Sequence, residues 1–246
     1  MAKTLILIPS RMAATRLPGK PLLKINNLSI VSHVFKRAKD ANIGEVVVAT
    51  EDQEILEDVL KNGGNAVLTS NDHKTGTDRI FEAFQKLNIK NIDYILNLQG
   101  DEPNIDTNDI INLNNLMINN KSEIGTLAAK IQDDKMLDDK NIVKVITESK
   151  LKKNSFPVAL NFTRESSLSK NKNIYHHIGI YSYKVQTLEK FVKLDQTYRE
   201  KESKLEQLRA LDSKLKINVA LSKSSPIGVD TEEDYLAIKK IMKYKI

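Results

Sequence analysis

No cysteine occurs among the 246 residues. That excludes a disulfide framework and any thiolate metal site, and it suits a reducing compartment. Tryptophan is absent too, and no lysine and arginine cluster is interleaved with aromatic rings. A nucleic-acid partner bound by base stacking is therefore not expected. No apolar run approaches the length of a membrane span. The short apolar run within residues 1–9 does not make a signal peptide and reads better as a first strand. The expectation is a cytoplasmic chain with no membrane partner. There is no internal repeat and no low-complexity linker.

The charge that is present is +6, from 38 basic and 32 acidic residues. The excess is spread along the chain, so it is either a solvated cationic surface or a setting for a small anionic substrate. The first half alternates apolar runs with helical spacing. "TLILIP" and "EVVVAT" read as buried strands, "NAVLTS" as a third strand and "DYILNLQGDEP" as a fourth that runs into a turn. Between them, "SIVSHVFKRAKDAN", "EDQEILEDVLKNGG" and "GTDRIFEAFQKLN" read as helices. This order predicts right-handed βαβ units and a parallel sheet. Next comes a helix, "TNDIINLNNLMINN". The runs "EIGTLAAKI", "NIVKVITE", "PVALNFTR" and "YHHIGIYSY" then follow with only loops between, as expected of antiparallel strands. A helix "KESKLEQLRALDSKL", a strand "KINVALSK" and a helix in "GVDTEEDYLAIKKIMKYK" close the chain. The fold class predicted is α/β, one domain with a mostly parallel sheet: core 1–130, antiparallel insertion 131–185, return to the core 186–246.

The stretch "IPSRMAATRLPGKPL" follows the first strand directly. Ligands of open α/β sheets bind beyond the carboxyl ends of strands. Small residues at Ser10, Ala13, Ala14 and Gly19 allow close backbone approach. With backbone N–H groups, Arg11, Arg16 and Lys20 form a cradle for a polyanion. The stretch matches neither G-x-x-x-x-G-K-[ST] nor G-x-G-x-x-G, so an ordinary basic loop stays open at this point. In "LNLQGDEP", Asp101 at a strand end suits Mg²⁺, or simply a turn. In "GVDTEEDY", Asp230 suits a metal, or Asp230 or Thr231 caps a helix. His177 and Tyr181 share a face of their strand, and His176 takes the other. No third ligand stands at zinc spacing.

These stretches, in this order, resemble the sugar-activating nucleotidyltransferases, and most closely the cytidylyltransferases that make CMP-Kdo (Kdo is 3-deoxy-manno-octulosonate). "VVVATED", "TSNDHKTGTDRI", "LNLQGDEP", "HHIGIYSY", "LEQLRAL" and "GVDTEEDY" follow the opening loop as in that family. The resemblance implies a nucleotide-binding sheet like that of nucleotide-diphospho-sugar transferases, and an insertion serving sugar binding and dimerisation. It implies CTP and an acid sugar as substrates, Mg²⁺ as cofactor, and a homodimer. Arg11, Lys20 and Asp101 would be catalytic, and Asp101 and Asp230 would hold the metal. Pro9, Ser10, Arg11, Arg16, Lys20, Thr50, His73, Thr75, Gly76, Arg79, Gln99 and Gly100 would bind the nucleotide. Gln99, Arg164, His177, Tyr181, Glu206 and Gln207 would bind the sugar.

The chain departs from the family's pattern at Ala14, where a serine is usual, and at Glu51, where an aspartate is usual. It also departs after Arg164, in "ESSLSKNKN", and at Asp212, where an aromatic is usual. These changes lie mostly around the second substrate. They leave open an amino-modified Kdo or another 2-keto-3-deoxy sugar acid. A glycosyltransferase-like or dinucleotide-binding protein, and a lysine-rich protein without enzymatic activity, are the alternatives outside the class.

Overall fold

The computed structural model describes residues 2–13, 16–165 and 173–243. Strand β1 (Thr4–Ser10) is the apolar run after the amino terminus, and Leu5, Ile6, Leu7 and Ile8 are all fully buried. A 3₁₀ turn at Lys20–Leu22 follows the cationic loop, entered through Gly19 at φ 69°, a left-handed conformation that suits glycine. A small antiparallel hairpin, β2 (Lys24–Ile25) and β3 (Leu28–Ser29), leads into α1 (Ile30–Asp40). Ser29 caps α1 by accepting the Ser32 N–H at 3.2 Å. Then come β4 (Gly44–Thr50), α2 (Gln53–Lys61), β5 (Ala66–Leu68), α3 (Gly76–Leu87), β6 (Tyr94–Asn97) and α4 (Thr107–Asn120).

These strands pair in the order β6-β1-β4-β5, all parallel. The chain steps outward from β1 to β4 and β5, then returns to the other side of β1 for β6. The order therefore reverses at β1, and at such a point the helices diverge and leave a crevice beyond the strand ends. This is why the loop after β1 is where a ligand site belongs.

The chain divides into two compact units, Met1–Ile111 with Pro226–Ile246, and Asn112–Ser225. The second holds β7 (Ile124–Ala129), α5 (Asp134–Asp138), β8 (Lys144–Thr147), β9 (Ala159–Thr163), β10 (Ile174–Lys184), α6 (Val185–Phe191), α7 (Tyr198–Ser203), α8 (Gln207–Asp212) and β11 (Ile217–Leu221). Strand β10 runs antiparallel to β7 and β8, β8 antiparallel to β9, and β11 parallel to β7. The chain then rejoins the first unit, where α9 (Glu232–Lys243) lies. The expected insertion limits of 130 and 185 both fall inside the second unit. Among the described residues no helix is long and apolar enough to cross a membrane.

One expected helix, 201–215, is two. Lys204 takes a left-handed conformation at φ 53° and ends α7. The turn brings Arg209 of α8 against Glu200 of α7, with bonds of 2.9 Å from Nε and 2.6 Å from Nη2. Both residues are buried, and the guanidinium sits 4.8 Å from the centre of the Phe191 ring. Helical spacing alone gives no sign of this fold-back. Removing one partner strands a buried charge, so Glu200→Ala should cost about 3–5 kcal/mol of stability. Chemical denaturation checks this. The apolar double replacement Glu200→Leu with Arg209→Met should lose far less.

Candidate active site

A cavity of about 360 Å³ opens at the carboxyl ends of β1 and β6 within the first unit. Pro9, Ser10, Arg11, Arg16, Lys20, His73, Thr75, Gly76, Arg79, Gln99 and Gly100 line it, with Asp101 and Asp230. Ala13, one of the small residues of the loop, and Pro21 line it too. Gly100 lies so close to β1 that an added Cβ would meet the Pro9 carbonyl oxygen at 2.8 Å. A glycine there lets the β6 turn and the β1 loop form one wall.

The cations and carboxylates of the cavity meet at Lys20. Its ammonium donates to Asp101 Oδ2 at 2.7 Å and to Asp230 Oδ1 at 2.9 Å. Burial works against the lysine's charge, but the two carboxylates outweigh it and hold its pKa above the usual value. Asp230 also accepts from Arg16 at 2.8 Å. Burial would raise the Asp230 pKa, yet Lys20 and Arg16 bring it below the usual carboxylate value. Of the two readings of "GVDT", the cap falls to Thr231. Thr231 accepts the Asp234 N–H at 3.2 Å, and Asp234 accepts the Thr231 N–H at 2.9 Å, a reciprocal cap that frees Asp230 for the cavity. The Val229 N–H donates to the Asp101 carbonyl at 2.9 Å and ties the two carboxylate-bearing loops together. Next door, Glu102 is buried, and burial with the Asp101 charge raises its pKa to about 8. At neutral pH it is mostly uncharged.

The opposite wall is the start of α3, capped by Thr75, which accepts the Asp78 N–H at 3.1 Å. Arg79 is buried and held from three sides. It donates to Thr69 Oγ1 at 2.7 Å, to the Ser70 carbonyl at 3.2 Å and to Glu51. The 70–73 loop is secured from α3 by Glu82, which pairs with His73 and accepts the Ser70 N–H at 2.9 Å. Burial opposes the charge on Glu82, but Lys86, His73 and Ser70 lower its pKa to about 2. Glu51 and Glu82 are therefore supports that sequence reading did not assign. Thr50, expected to contact nucleotide, does not line the cavity. It is fully buried, and its hydroxyl accepts the Asp52 N–H at 3.1 Å. Ala14 and residues 166–172 lie outside the described residues.

The expected sugar residues other than Gln99 belong to the second unit. A bulge in β10 puts two extra residues between Ile178 and Tyr181, which leaves His177 and Tyr181 on one face. Their ring centres are 5.4 Å apart, and Phe162 meets His177 edge-on at 5.1 Å. Burial, aided by His176, lowers the His177 pKa to about 3, so this ring is neutral. It bonds Thr126 Oγ1 at 3.0 Å. Tyr181 is buried too, with its hydroxyl beside Thr126. Glu206 stands 3.6 Å from Arg209 and Gln207 begins α8, so this is no freely solvated helix face. Arg164 donates to the carbonyls of Lys140 and Asn141 at 3.2 and 3.1 Å. Asp212 pairs with Arg199 at 2.5 Å.

The family model described as Cytidylyltransferase matches residues 5–217. A 3-deoxy-manno-octulosonate cytidylyltransferase of Afipia carboxidovorans is 44% identical over 240 residues, covering 97% of this chain and 96% of that one. The enzyme of that name from Thermodesulfovibrio yellowstonii is 42% identical, with 97% of this chain and 98% of that one covered. The solved structure of a CMP:2-keto-3-deoxy-manno-octonic acid synthetase complexed with CTP matches with a TM-score of 0.90 and 32% identity over 100% of both chains. The likeness thus extends from the cationic loop through both units, and the chain belongs to the 3-deoxy-manno-octulosonate cytidylyltransferase family.

Proposed function

We propose that this chain is a nucleotidyltransferase that joins CTP to Kdo, giving CMP-Kdo and pyrophosphate for lipopolysaccharide assembly. The observation that carries this reading is full-length likeness to a synthetase with CTP bound, together with a cavity that gathers Arg11, Arg16, Lys20 and Arg79 at the switch point of the sheet. The anomeric hydroxyl oxygen of Kdo attacks the α-phosphorus of CTP. The bond from that phosphorus to the bridging oxygen breaks, pyrophosphate leaves with the electron pair, and the hydroxyl proton passes to solvent. Such a transfer depends on positioning and charge stabilisation, not on a covalent protein intermediate. Arg11, Arg16 and Lys20 neutralise triphosphate oxygens, while Pro9, Ser10, His73, Thr75, Gly76, Arg79, Gln99 and Gly100 seat the nucleotide.

Two carboxylates converging on one cation position form an all-oxygen donor pair that fits Mg²⁺, which commonly takes one or two carboxylates plus substrate phosphates. Among the described residues no larger cluster of acidic and histidine ligands competes for it. Asp101 and Asp230 would hold the ion, which when bound supplies charge neutralisation at the reacting oxygens. Arg164, His177, Tyr181, Glu206, Gln207 and Gln99 are assigned to the sugar. Because His177 is neutral, recognition of the sugar carboxylate falls to Arg164 as the cation. The working form is taken to be a cytoplasmic homodimer, which light scattering checks.

The test is pyrophosphate release with CTP, Mg²⁺ and a panel of acid sugars. Release with CTP and Kdo, and not with UTP, supports the reading. Release only with an amino-modified Kdo would move the sugar assignment, and release with none would overturn the function.

A further inference from the structure

Helix α2 begins after Asp52, an aspartate in the position where aspartate normally caps. It does not cap. Asp52 is in an extended conformation at φ −98°, ψ 123°, and makes no side-chain bond to the first turn of its helix. Its Oδ2 instead accepts the Met12 N–H at 2.7 Å, across a gap of 40 residues. The pairing of β1 and β4 explains the reach. The last matched pair of that parallel ladder is Ser10 with Thr50, so two residues further along Met12 comes opposite Asp52. The carboxylate replaces the backbone carbonyl that the ladder no longer offers. Asp52 is itself secured, because its N–H donates to the fully buried Thr50 hydroxyl. On the far side of the same residue, the Met12 carbonyl accepts the Gly19 N–H at 3.5 Å. Both polar groups of Met12 are thus engaged, and Arg11, directly before it, lines the cavity.

We propose that Asp52 is a positioning residue for the cationic loop, giving up its cap on α2 to hold the Met12 peptide so that Arg11 faces the triphosphate. A local rule broken at a ligand site, with the broken side chain bonded to the ligand loop, is the pattern of a residue placed for function. The neighbouring Glu51 holds Arg79 of the opposite wall. Two consecutive carboxylates at the end of β4 therefore brace two walls of one cavity. Neither touches the reacting atoms, and the proposal rests on the reading of this cavity as the CTP site.

The experiment compares Asp52→Ser and Asp52→Asn in the full chain, measuring KM for CTP and for Kdo, kcat, calorimetric CTP affinity and Tm. Serine is a good helix cap but too short to reach Met12. Asp52→Ser should therefore keep or raise Tm while raising KM and Kd for CTP about tenfold, with KM for Kdo unchanged. Asparagine retains an oxygen acceptor and should stay close to the wild type. The proposal is overturned if Asp52→Ser binds CTP like the wild type, if Asp52→Asn weakens CTP as much as serine does, or if KM for both substrates rises together with a fall in Tm. A wild-type chain that binds no CTP would instead overturn the reading of the cavity, and the tether with it.

Discussion

Lys20→Ala should lower kcat/KM for CTP by about 10²–10³-fold, the size seen when one preorganised charge donor is taken from a transition state. The geometry makes the loss specific. Among the described residues Lys20 is the one cation bonded to both Asp101 and Asp230, and only 13% of its side chain is exposed. Removing it takes a charge from the triphosphate and leaves two carboxylates facing each other. Because 46% of the Asp230 side chain is exposed, water relieves much of that repulsion, and the stability cost should be about 1 kcal/mol. A second readout needs no turnover. With Lys20 gone, a divalent cation can take its place between the carboxylates, so Mg²⁺ should raise the Tm of Lys20→Ala more than that of the wild type. Equal Tm responses in the two proteins would count against the metal assignment.

Asp101→Asn should abolish Mg²⁺-dependent turnover, a loss of about 10³-fold for several kcal/mol of charge stabilisation. Asparagine keeps an oxygen for Lys20 and a backbone carbonyl for the Val229 N–H, so the fold should survive. Circular dichroism and Tm close to the wild type establish that. The change isolates the negative charge from the shape. If Asp101→Asn turned over CTP and Kdo at the normal rate, Asp101 could not be the metal ligand, and Asp230 would have to act without it. Pyrophosphate release across a Mg²⁺ titration, run on both proteins, separates these outcomes.

The apolar runs made the strands legible, because strands buried on both faces have little freedom in composition. "TLILIP" and "EVVVAT" became strands within a few residues of the quoted limits, and the strand of "DYILNLQGDEP" ends at Asn97, before its turn. The polar stretch Gln132–Lys140 hid α5, a five-residue helix with no buried residue to mark its face. Helix α6 follows β10 without a break, so no turn signal announces it. On the site, Arg11, Lys20 and Asp101 were legible because strand-end position and charge are both written in the sequence. Asp230 was ambiguous between cap and ligand, and the cap falls to Thr231. Thr50 is absent from the cavity lining, because a strand's last residue can point inward as readily as toward the loop. The roles of Glu51, Asp52 and Glu82 were invisible. Each depends on the partner to which a carboxylate is directed, and that is a property of register and helix placement, not of residue type.

The bond between Lys20 and Asp230 spans 210 residues of chain. At ribosomal speeds of about 5–20 residues per second, Asp230 emerges roughly 10–40 seconds after Lys20. During that interval the cationic loop and β1 already exist, and Asp101 joins them partway, but the second carboxylate and the Val229 link to Asp101 do not. A chain cut short before Pro226 would keep every strand from β1 to β11 and still lack this clamp. Emergence of the segment around Asp230 is thus the last step in assembling this Lys20 clamp.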